Sequence, residues 1–292
     1  MMKVSLFPGC VIPTRMPGIE AATRYLAEKL DLHLADIEYG CCPAPTSLKL
    51  ANVEASLALG ARNLSLAEQE GLDILTICSG CSNTLKETQH VLAEDEGIRT
   101  RIGSILRLID RDYQGATQVF NLPDFLLRQE LFSRLKARAV QSLAGMKIGT
   151  HYGCHYFRPS SFMQDGQHDP LFPLPESMEI ILETLGAEIV EYSRPDLCCG
   201  AALKINGGRT PESLEIAQEK ITWMNDAGIE ALVVPCPTCF IQFDTGQMML
   251  RRKGRIESTF PVYHISELVA YALGAPAELL SSQHHRIPAA PG

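Results

Sequence analysis

The sequence predicts an α/β fold built from two pseudo-symmetric domains. Short apolar runs typical of buried strands alternate along the chain with segments of helical periodicity. Ten cysteines also fall into two sets of five that occur in the same order. Such alternation is typical of parallel sheets covered by helices, and a repeat at long period indicates duplication. We therefore expect one cysteine-rich domain at residues 1–144 and a second at 145–292.

Each cysteine set consists of a lone cysteine, an adjacent pair and a C-x2-C pair. The two intervals are 30 and 35 residues in the first set, and 43 and 36 in the second. Glycine precedes the lone cysteine in both sets, at Gly9 and Gly153. No cysteine of the sequence is left over, and the ten positions are Cys10, Cys41, Cys42, Cys78, Cys81, Cys154, Cys198, Cys199, Cys236 and Cys239.

The predicted elements repeat in the same order. In the first half we expect strands at 3–7, 34–38 and 73–78, and helices at 19–30, 52–70, 82–95, 98–110 and 123–144. In the second half we expect strands at 147–151, 188–192 and 231–234, and helices at 177–185, 211–227, 238–249 and 262–273. Each cysteine group then follows a strand, at the edge where open α/β sheets bind ligands. Both domains are predicted to be Rossmann-like, with parallel sheets and helices on both faces.

Composition limits the function classes. Of 292 residues, 46% are hydrophobic and 21% are charged, as in globular proteins. The formal net charge of −8 argues against a nucleic-acid partner, because phosphate binding needs a basic face. The N-terminal segment lacks a signal peptide's apolar core, and no run of about 18 apolar residues predicts a transmembrane segment. Ten cysteines without an export signal indicate a reducing, cytoplasmic compartment.

Five thiols in a set favour a multinuclear cluster over a single ion. A C-x2-C pair fits zinc as well as iron, but a structural zinc takes four ligands. Adjacent cysteines point in different directions along the backbone, which suits a cluster whose irons each take one thiolate. Zinc in one of the two sites stays an alternative. The sequence has no ferredoxin-type cysteine run and no nucleotide-binding glycine motif, so we expect a partner protein to exchange electrons with it.

The two motifs resemble the cysteine-rich CCG domains of the B subunits of heterodisulfide reductases. The similarity covers nearly the whole chain and is carried, besides the other cysteines, by segments 9–13, 18–24, 41–45, 151–155, 198–200 and 240–244. The main departure is the longer segment 158–175, which we expect near the second set of cysteines. This difference leaves the substrate open.

The resemblance implies two noncubane [4Fe-4S] clusters, each held by one set, so that all ten cysteines are metal and cofactor ligands. In methanogen members of the family these clusters cleave the disulfide of coenzyme M and coenzyme B. In similar bacterial sulfur-oxidising subunits the substrate is a sulfur carrier or a dithiol. The implied partners are a ferredoxin-type iron–sulfur subunit and a flavin-containing subunit.

Candidate catalytic residues are Cys10, Cys154, His151 and His155. The histidines flank the second lone cysteine and could deliver a proton to a departing thiolate, since imidazole titrates near neutral pH. Loop packing or a hydrogen bond to cluster sulfur is the alternative role. Lys204 could attract an anionic substrate.

Two other functions stay open. The chain could transfer electrons without substrate chemistry, as CCG subunits of quinone-linked dehydrogenases do, although it shows no amphipathic membrane helix. It could also be a pair of zinc modules that bind a partner, against which the fifth cysteine of each set argues.

Overall fold

The computed structural model describes residues 2–44, 48–163, 175–280 and 285–288. These residues form parallel sheets and flanking helices, which confirms the predicted α/β class. The strands are β1 (Met2–Phe7), β2 (Leu32–Asp36), β3 (Ile74–Thr76), β4 (Val119–Asn121), β5 (Lys147–Thr150), β6 (Glu188–Ile189), β7 (Ala231–Val234) and β8 (Val262–His264).

Helices fill the connections between these strands. In chain order they are α1 (Val11–Arg15), α2 (Pro17–Lys29), α3 (Leu48–Ala51), α4 (Val53–Gln69), α5 (Ser79–Glu94), α6 (Glu96–Arg107), α7 (Leu122–Leu126), α8 (Gln129–Arg138), α9 (Cys154–Phe157), α10 (Ser160–Met163), α11 (Ser177–Thr184), α12 (Ala201–Gly207), α13 (Thr210–Asp226), α14 (Pro237–Arg252) and α15 (Ile265–Ala272). A 3₁₀ helix covers Ala277–Leu280.

The two sheets have the same topology. The first has the order β2-β1-β3-β4 and the second β6-β5-β7-β8, and all neighbouring strands are parallel. In the first sheet, Ser5 of the central strand lies opposite Ala35 on one side and Ile74 on the other. Because the strands of a sheet share one direction, their carboxyl ends meet at one edge. The duplication predicted from the cysteines is therefore present in the strand order.

Several strands of both sheets are buried on both faces. All residues of β3, β7 and β8 are buried, and so are the last four residues of β1. Strands of a parallel sheet are buried on both faces because helices cover both. This explains why these segments form continuous apolar runs in the sequence instead of alternating patterns.

The chain folds into two compact units, and each contains segments of both halves of the sequence. The first unit contains the described residues of Met1–Cys10, Leu32–Leu122 and His155–Pro173, and the second those of Val11–Asp31, Pro123–Cys154 and Leu174–Gly292. In each half the chain changes unit directly after the lone cysteine, Cys10 or Cys154. The sequence boundary between residues 144 and 145 stays a prediction.

Within the second unit, α2 packs against α15. Small side chains at Ala22 and Ala270 are fully buried and belong to one apolar cluster, which allows the two helices to approach closely. The hydroxyl of Ser266 donates a hydrogen bond to the Ile19 carbonyl at 3.3 Å. A helix from the first half of the sequence is thereby fixed in the unit that holds the second sheet.

Some predicted elements differ from the structure. The helix predicted at 262–273 begins only at Ile265, because residues 262–264 form β8. The helix predicted at 123–144 is divided into α7 and α8, since Arg128 has an extended ψ of 130°. Strand β4 was not predicted, because only Val119 and Phe120 of its residues are apolar and polar residues flank them.

Among the described residues we find no helix whose length and hydropathy would let it cross a bilayer.

Replacing Gln247 by leucine is expected to destabilise the second unit. Its buried side-chain amide accepts a hydrogen bond from the Phe260 N–H at 2.9 Å and donates one to the Phe260 carbonyl at 3.0 Å. Leucine leaves both backbone groups without this partner, at a cost of about 1–3 kcal/mol. The urea midpoint, followed by the fluorescence of the single tryptophan, Trp223, should fall.

Gln218→Leu is the matched control, because its amide donates to the Arg255 carbonyl at an exposed position. Water can replace that hydrogen bond, so the midpoint should change much less. Equal effects of the two variants would contradict the prediction.

Candidate metal centres

The cysteines lie beyond the carboxyl ends of three strands in each sheet. One cysteine group follows each of β1, β2 and β3 in the first sheet, and each of β5, β6 and β7 in the second. All ten side chains are thiols that form no disulfide. As predicted, cysteines more than 30 residues apart in sequence follow the strand ends at a common edge of each sheet.

The first set belongs to the first unit and forms a coupled group of thiols. Hydrogen bonds with the thiols of Cys42 and Cys78, followed by burial, raise the pKa of Cys81 well above its usual range. The neighbouring Cys42 thiol and burial also raise the pKa of Cys41, and the charge of Cys10 acts in the same direction. Cys41 and Cys81 therefore each interact electrostatically with neighbouring thiols of the same set.

The second set belongs to the second unit. The Cys154 and Cys198 sulfurs are 3.9 Å apart, and those of Cys199 and Cys239 are 3.4 Å apart. Hydrogen bonds from Cys154, then Cys199, and from the Gly200 N–H at 3.3 Å lower the pKa of Cys198 to about 2. The pKa values of Cys154 and Cys199 rise, chiefly because Cys198 is their hydrogen-bond partner. The thiols of the second set are therefore electrostatically coupled.

Exposure divides both sets in the same way. In the first, Cys10 and Cys41 are exposed, whereas the other three cysteines are buried. In the second, Cys154 and Cys198 are half-buried and the other three are buried. The lone cysteine and the first member of the pair therefore form the accessible side of each set.

Each C-x2-C pair opens a helix. Cys78 is the N-cap residue of α5 and Cys236 that of α14, and the second cysteine of each pair lies in the first turn. Helix N-termini carry unsatisfied N–H groups and a partial positive charge, which stabilise thiolates. Pro237 occupies the first helical position of α14, where its missing N–H costs nothing.

The glycines before the lone cysteines leave space for a sulfur. Gly9 and Gly153 have φ values of +72° and +75°, which favour glycine. A Cβ built at Gly9 would lie 2.8 Å from the Cys81 sulfur, and one at Gly153 would lie 2.8 Å from the Cys239 sulfur. The sequence showed that these glycines recur, but it did not show this contact.

Asn63 in α4 fixes the loop of the first cysteine pair. Its side-chain amide donates to the Cys41 carbonyl at 3.0 Å, and its side-chain oxygen accepts from the Gly40 N–H at 2.9 Å. Lys220 occupies the same position in α13 that Asn63 occupies in α4. It donates a hydrogen bond to the Arg194 carbonyl at 2.8 Å, in the loop before the second cysteine pair. Sequence reasoning missed both residues, although alignment of the two halves would have matched their positions.

His151 is fully buried beside the second set. A ring nitrogen lies within 4.8 Å of the Cys199 and Cys239 sulfurs, and the ring meets Phe243 edge-on at 5.0 Å. Neither ring nitrogen has a partner at standard hydrogen-bond geometry among the described residues. Burial, helped by the charge of Lys220, lowers the pKa of His151 to about 3. As a neutral imidazole, His151 could form a hydrogen bond to sulfur, which is one of the roles that the sequence left open for it.

His155 belongs to the first unit, whereas His151 belongs to the second. His155 is half-buried in α9, and its carbonyl accepts a hydrogen bond from the Asn83 amide at 3.3 Å. The exposed Lys204 lies in α12. Of the longer segment 158–175, only 158–163 and 175 lie within the described residues, and Pro45 of the segment 41–45 lies outside them.

The donor sets fit a cationic metal cluster. Five neighbouring thiols cannot all ionise by themselves, because each negative charge raises the pKa of the next. Iron would supply the compensating charge, and cysteine thiolates are the usual ligands of iron–sulfur clusters. The helix N-termini and the two glycines stabilise charge and leave space at the sulfurs. The structure therefore places each predicted set of five cysteines within one unit, and their role as cluster ligands stays a prediction.

Comparisons with known proteins agree with this architecture. The family model of the cysteine-rich domain, CCG, matches twice, at residues 4–86 and 148–244. The B subunit of the ferredoxin/F(420)H(2)-dependent CoB-CoM heterodisulfide reductase of Methanosarcina acetivorans is 36% identical over 96% of this chain and 92% of its own. The 8-methylmenaquinol:fumarate reductase membrane anchor subunit of Wolinella succinogenes is 30% identical over 98% of both chains.

A solved structure shares the fold. The crystal structure of a hypothetical protein from Helicobacter pylori superposes with a TM-score of 0.74 at 12% identity, over 99% of this chain and 52% of that one. Fold and cysteine sets thus define a duplicated cysteine-rich domain protein. The chain belongs to the family of heterodisulfide reductase B subunits, which confirms the resemblance and assigns it to a family of oxidoreductase subunits.

Gly153→Ala is expected to remove metal from the second set alone, because the added methyl group would collide with the Cys239 sulfur. Gly228→Ala is the matched control, since Gly228 has a similar φ of +79° but nothing within 4 Å of a built Cβ. Both variants carry a backbone cost of about 1–2 kcal/mol. Iron analysis should show about half the metal in Gly153→Ala and the full amount in Gly228→Ala. Equal metal contents in the two variants would contradict the prediction.

Asn63→Leu is expected to lower the metal content of the first set, because leucine cannot hold the Cys41 carbonyl or the Gly40 N–H. Asn63→Asp keeps the acceptor for Gly40 but puts a carboxylate oxygen against the Cys41 carbonyl, so its metal content should also fall. The measurement is iron per chain after anaerobic purification. Full occupancy in Asn63→Leu would show that the loop needs no such anchor.

Proposed function

We propose that the chain is the catalytic iron–sulfur subunit of a heterodisulfide reductase-like complex. Its substrate is a disulfide or thiol compound, which it cleaves or forms at two noncubane [4Fe-4S] clusters. The observation that carries this proposal is the pair of five-thiol sets, each linked internally by hydrogen bonds and charge. Membership in the family of heterodisulfide reductase B subunits supports it.

In this proposal each set holds one cluster through all five of its cysteines. Three buried thiols in each set fix the cluster to the fold. Cys10 with Cys41, and Cys154 with Cys198, form the side that a substrate can reach. We therefore assign the substrate-facing role to the lone cysteines Cys10 and Cys154, together with the first cysteine of each pair.

The overall reaction needs two electrons and two protons to convert one disulfide into two thiols. When bound, the two clusters would supply the electrons one at a time. The protein's own contribution is to hold the metal ligands, to stabilise their negative charge at the helix N-termini, and to leave one side of each set accessible. Among the histidines, we propose His155 as the proton donor and His151 as a hydrogen-bond partner of sulfur.

The partners proposed for the chain follow from its family. A ferredoxin-type iron–sulfur subunit would deliver or accept electrons, and a flavin-containing subunit would connect that subunit to the primary donor. The substrate is either the disulfide of coenzyme M and coenzyme B or a sulfur carrier or dithiol. The cytoplasmic location inferred from the thiols is part of the same proposal.

Metal analysis is the first test. Anaerobically purified protein should contain about eight irons and about eight acid-labile sulfides, four of each for each five-thiol set. Cys198→Ser should remove about half of this content and leave the first unit loaded, and Cys41→Ser should do the reverse. Zinc in either set, or iron content unchanged in both variants, would refute the two-cluster assignment.

Turnover is the second test. With reduced viologen as electron donor, the loaded protein should oxidise the dye when it is given the disulfide of coenzyme M and coenzyme B or a lipoyl disulfide. Cys154→Ser should abolish this reaction. Loaded protein that turns over neither probe would remove the catalytic role and leave only electron transfer.

Electron transfer without substrate chemistry is the second candidate function. It is favoured by the 30% identity to the Wolinella succinogenes protein, whose name refers to a quinol and to fumarate. On this alternative the chain would pass electrons between a quinone-linked membrane and a dehydrogenase. Rapid oxidation of the reduced protein by a menaquinone analogue, without turnover of either disulfide, would distinguish it.

A further inference from the structure

The two cysteine sets differ at one buried helical position. Helices α4 and α13 both have 17 residues and both follow a cysteine pair. Their eleventh residues are Asn63 and Lys220, with exposed fractions of only 1% each. The first unit thus has a neutral amide at the place where the second has an amine.

Lys220 lies among groups that interact with its charge. Its ammonium group donates to the Arg194 carbonyl at 2.8 Å and lies 5.6 Å from the centre of the Tyr192 ring. Burial lowers the pKa of Lys220 to about 8, and negative charge on Cys199, on the partly exposed Asp196 and on Cys239 and Cys198 acts in the opposite direction. Lysine is a cation in its usual protonated form, and this one is buried against the loop before the second cysteine pair.

We propose that Lys220 sets the reduction potential of the second cluster and makes that cluster easier to reduce than the first. This inference rests on the proposed function, because it requires a cluster in each set. Reduction adds one negative charge, and a buried cation stabilises that charge more strongly than a solvated one would. Asn63 cannot supply such stabilisation to the first set, because its amide is neutral.

A second substitution acts in the same direction. Gly9 and Gly153 each precede a lone cysteine, so Phe7 occupies the place in the first half that His151 occupies in the second. Both side chains are fully buried. A neutral imidazole within 4.8 Å of two sulfurs can donate an N–H to sulfur, and hydrogen bonds to sulfur tune the potential of iron–sulfur clusters. A phenyl ring offers no donor.

The two cluster sites are therefore related by duplication but differ in their electrostatics. The first electron that enters the protein settles at the second set, beside Lys220. The first set is reduced only at a lower potential. Lys220 is a tuning residue in this scheme and does not need to touch the substrate.

The test is a redox titration of the anaerobic, cluster-loaded protein followed by electron paramagnetic resonance. Cys236→Ser identifies the signal of the second cluster, and Cys78→Ser that of the first. Lys220→Gln removes the charge but keeps an N–H donor for the Arg194 carbonyl. It should lower the midpoint of the second signal by at least a tenfold change in the reduction equilibrium, about 59 mV for one electron, and leave the first signal unchanged.

Two controls separate charge from structure. Lys220→Arg keeps the charge and should keep the midpoint, whereas Lys204→Gln removes an exposed charge of α12 and should shift neither signal. An unchanged second midpoint in loaded Lys220→Gln would show that Lys220 is only an anchor for the loop at Arg194. An equal shift in Lys220→Gln and Lys204→Gln would show a general charge effect and would also overturn the proposal.

The unmodified protein supplies a further measurement, which stays decisive if Lys220→Gln fails to retain its second cluster. The signal assigned to the second cluster should have the higher midpoint of the two. The reverse order, or identical midpoints, would overturn the inference while leaving the proposed function intact. A protein that binds no cluster at all would instead refute the proposed function.

Discussion

Parallel pairing of the central strand with its two neighbours is the constraint on which each site depends. In the first sheet β1 lies between β2 and β3, and in the second β5 lies between β6 and β7. Three strands must end at the same edge of a sheet if the cysteine groups that follow them are to lie together. Antiparallel pairing of any one strand would carry its cysteines to the opposite edge. The sites are thus consequences of strand direction, and the loops only complete them.

Much of the fold could be predicted because its strands and long helices have strong local patterns. The apolar run of β7 and the periodicity of α4 required no tertiary information. Strands β4 and β8 each have three residues, and whether so short a segment pairs depends on the neighbouring strand. The ten thiols were visible because cysteine is a rare residue with a specific chemistry. Asn63 and Lys220 were not visible, since asparagine and lysine within a helix are usually solvated and only the folded chain shows that these two are buried.

Duplication has kept some features of the sites and changed others. The lone cysteine, the glycine before it and the helix that begins at the C-x2-C pair recur with closely similar geometry. The side chains around them differ between the halves. The first half has phenylalanine and asparagine at the two positions where the second has histidine and lysine. The cysteines recur in the same order in both halves, whereas the residues beside them differ in charge without loss of the fold. Two copies of one motif can therefore differ in electronic properties while they keep the same backbone.

The exchange of segments between the two units bears on the origin of the protein. In each half the chain leaves its own unit immediately after the lone cysteine, so neither half supplies all the parts of one unit. An ancestor with a single repeat, built on the same plan, would have needed a second polypeptide to donate the missing segment. Such a single-repeat protein would exchange the segment between two copies, as in a domain-swapped homodimer. In one covalent chain the exchange does not depend on concentration, and the residues around one cysteine set can differ from those around the other.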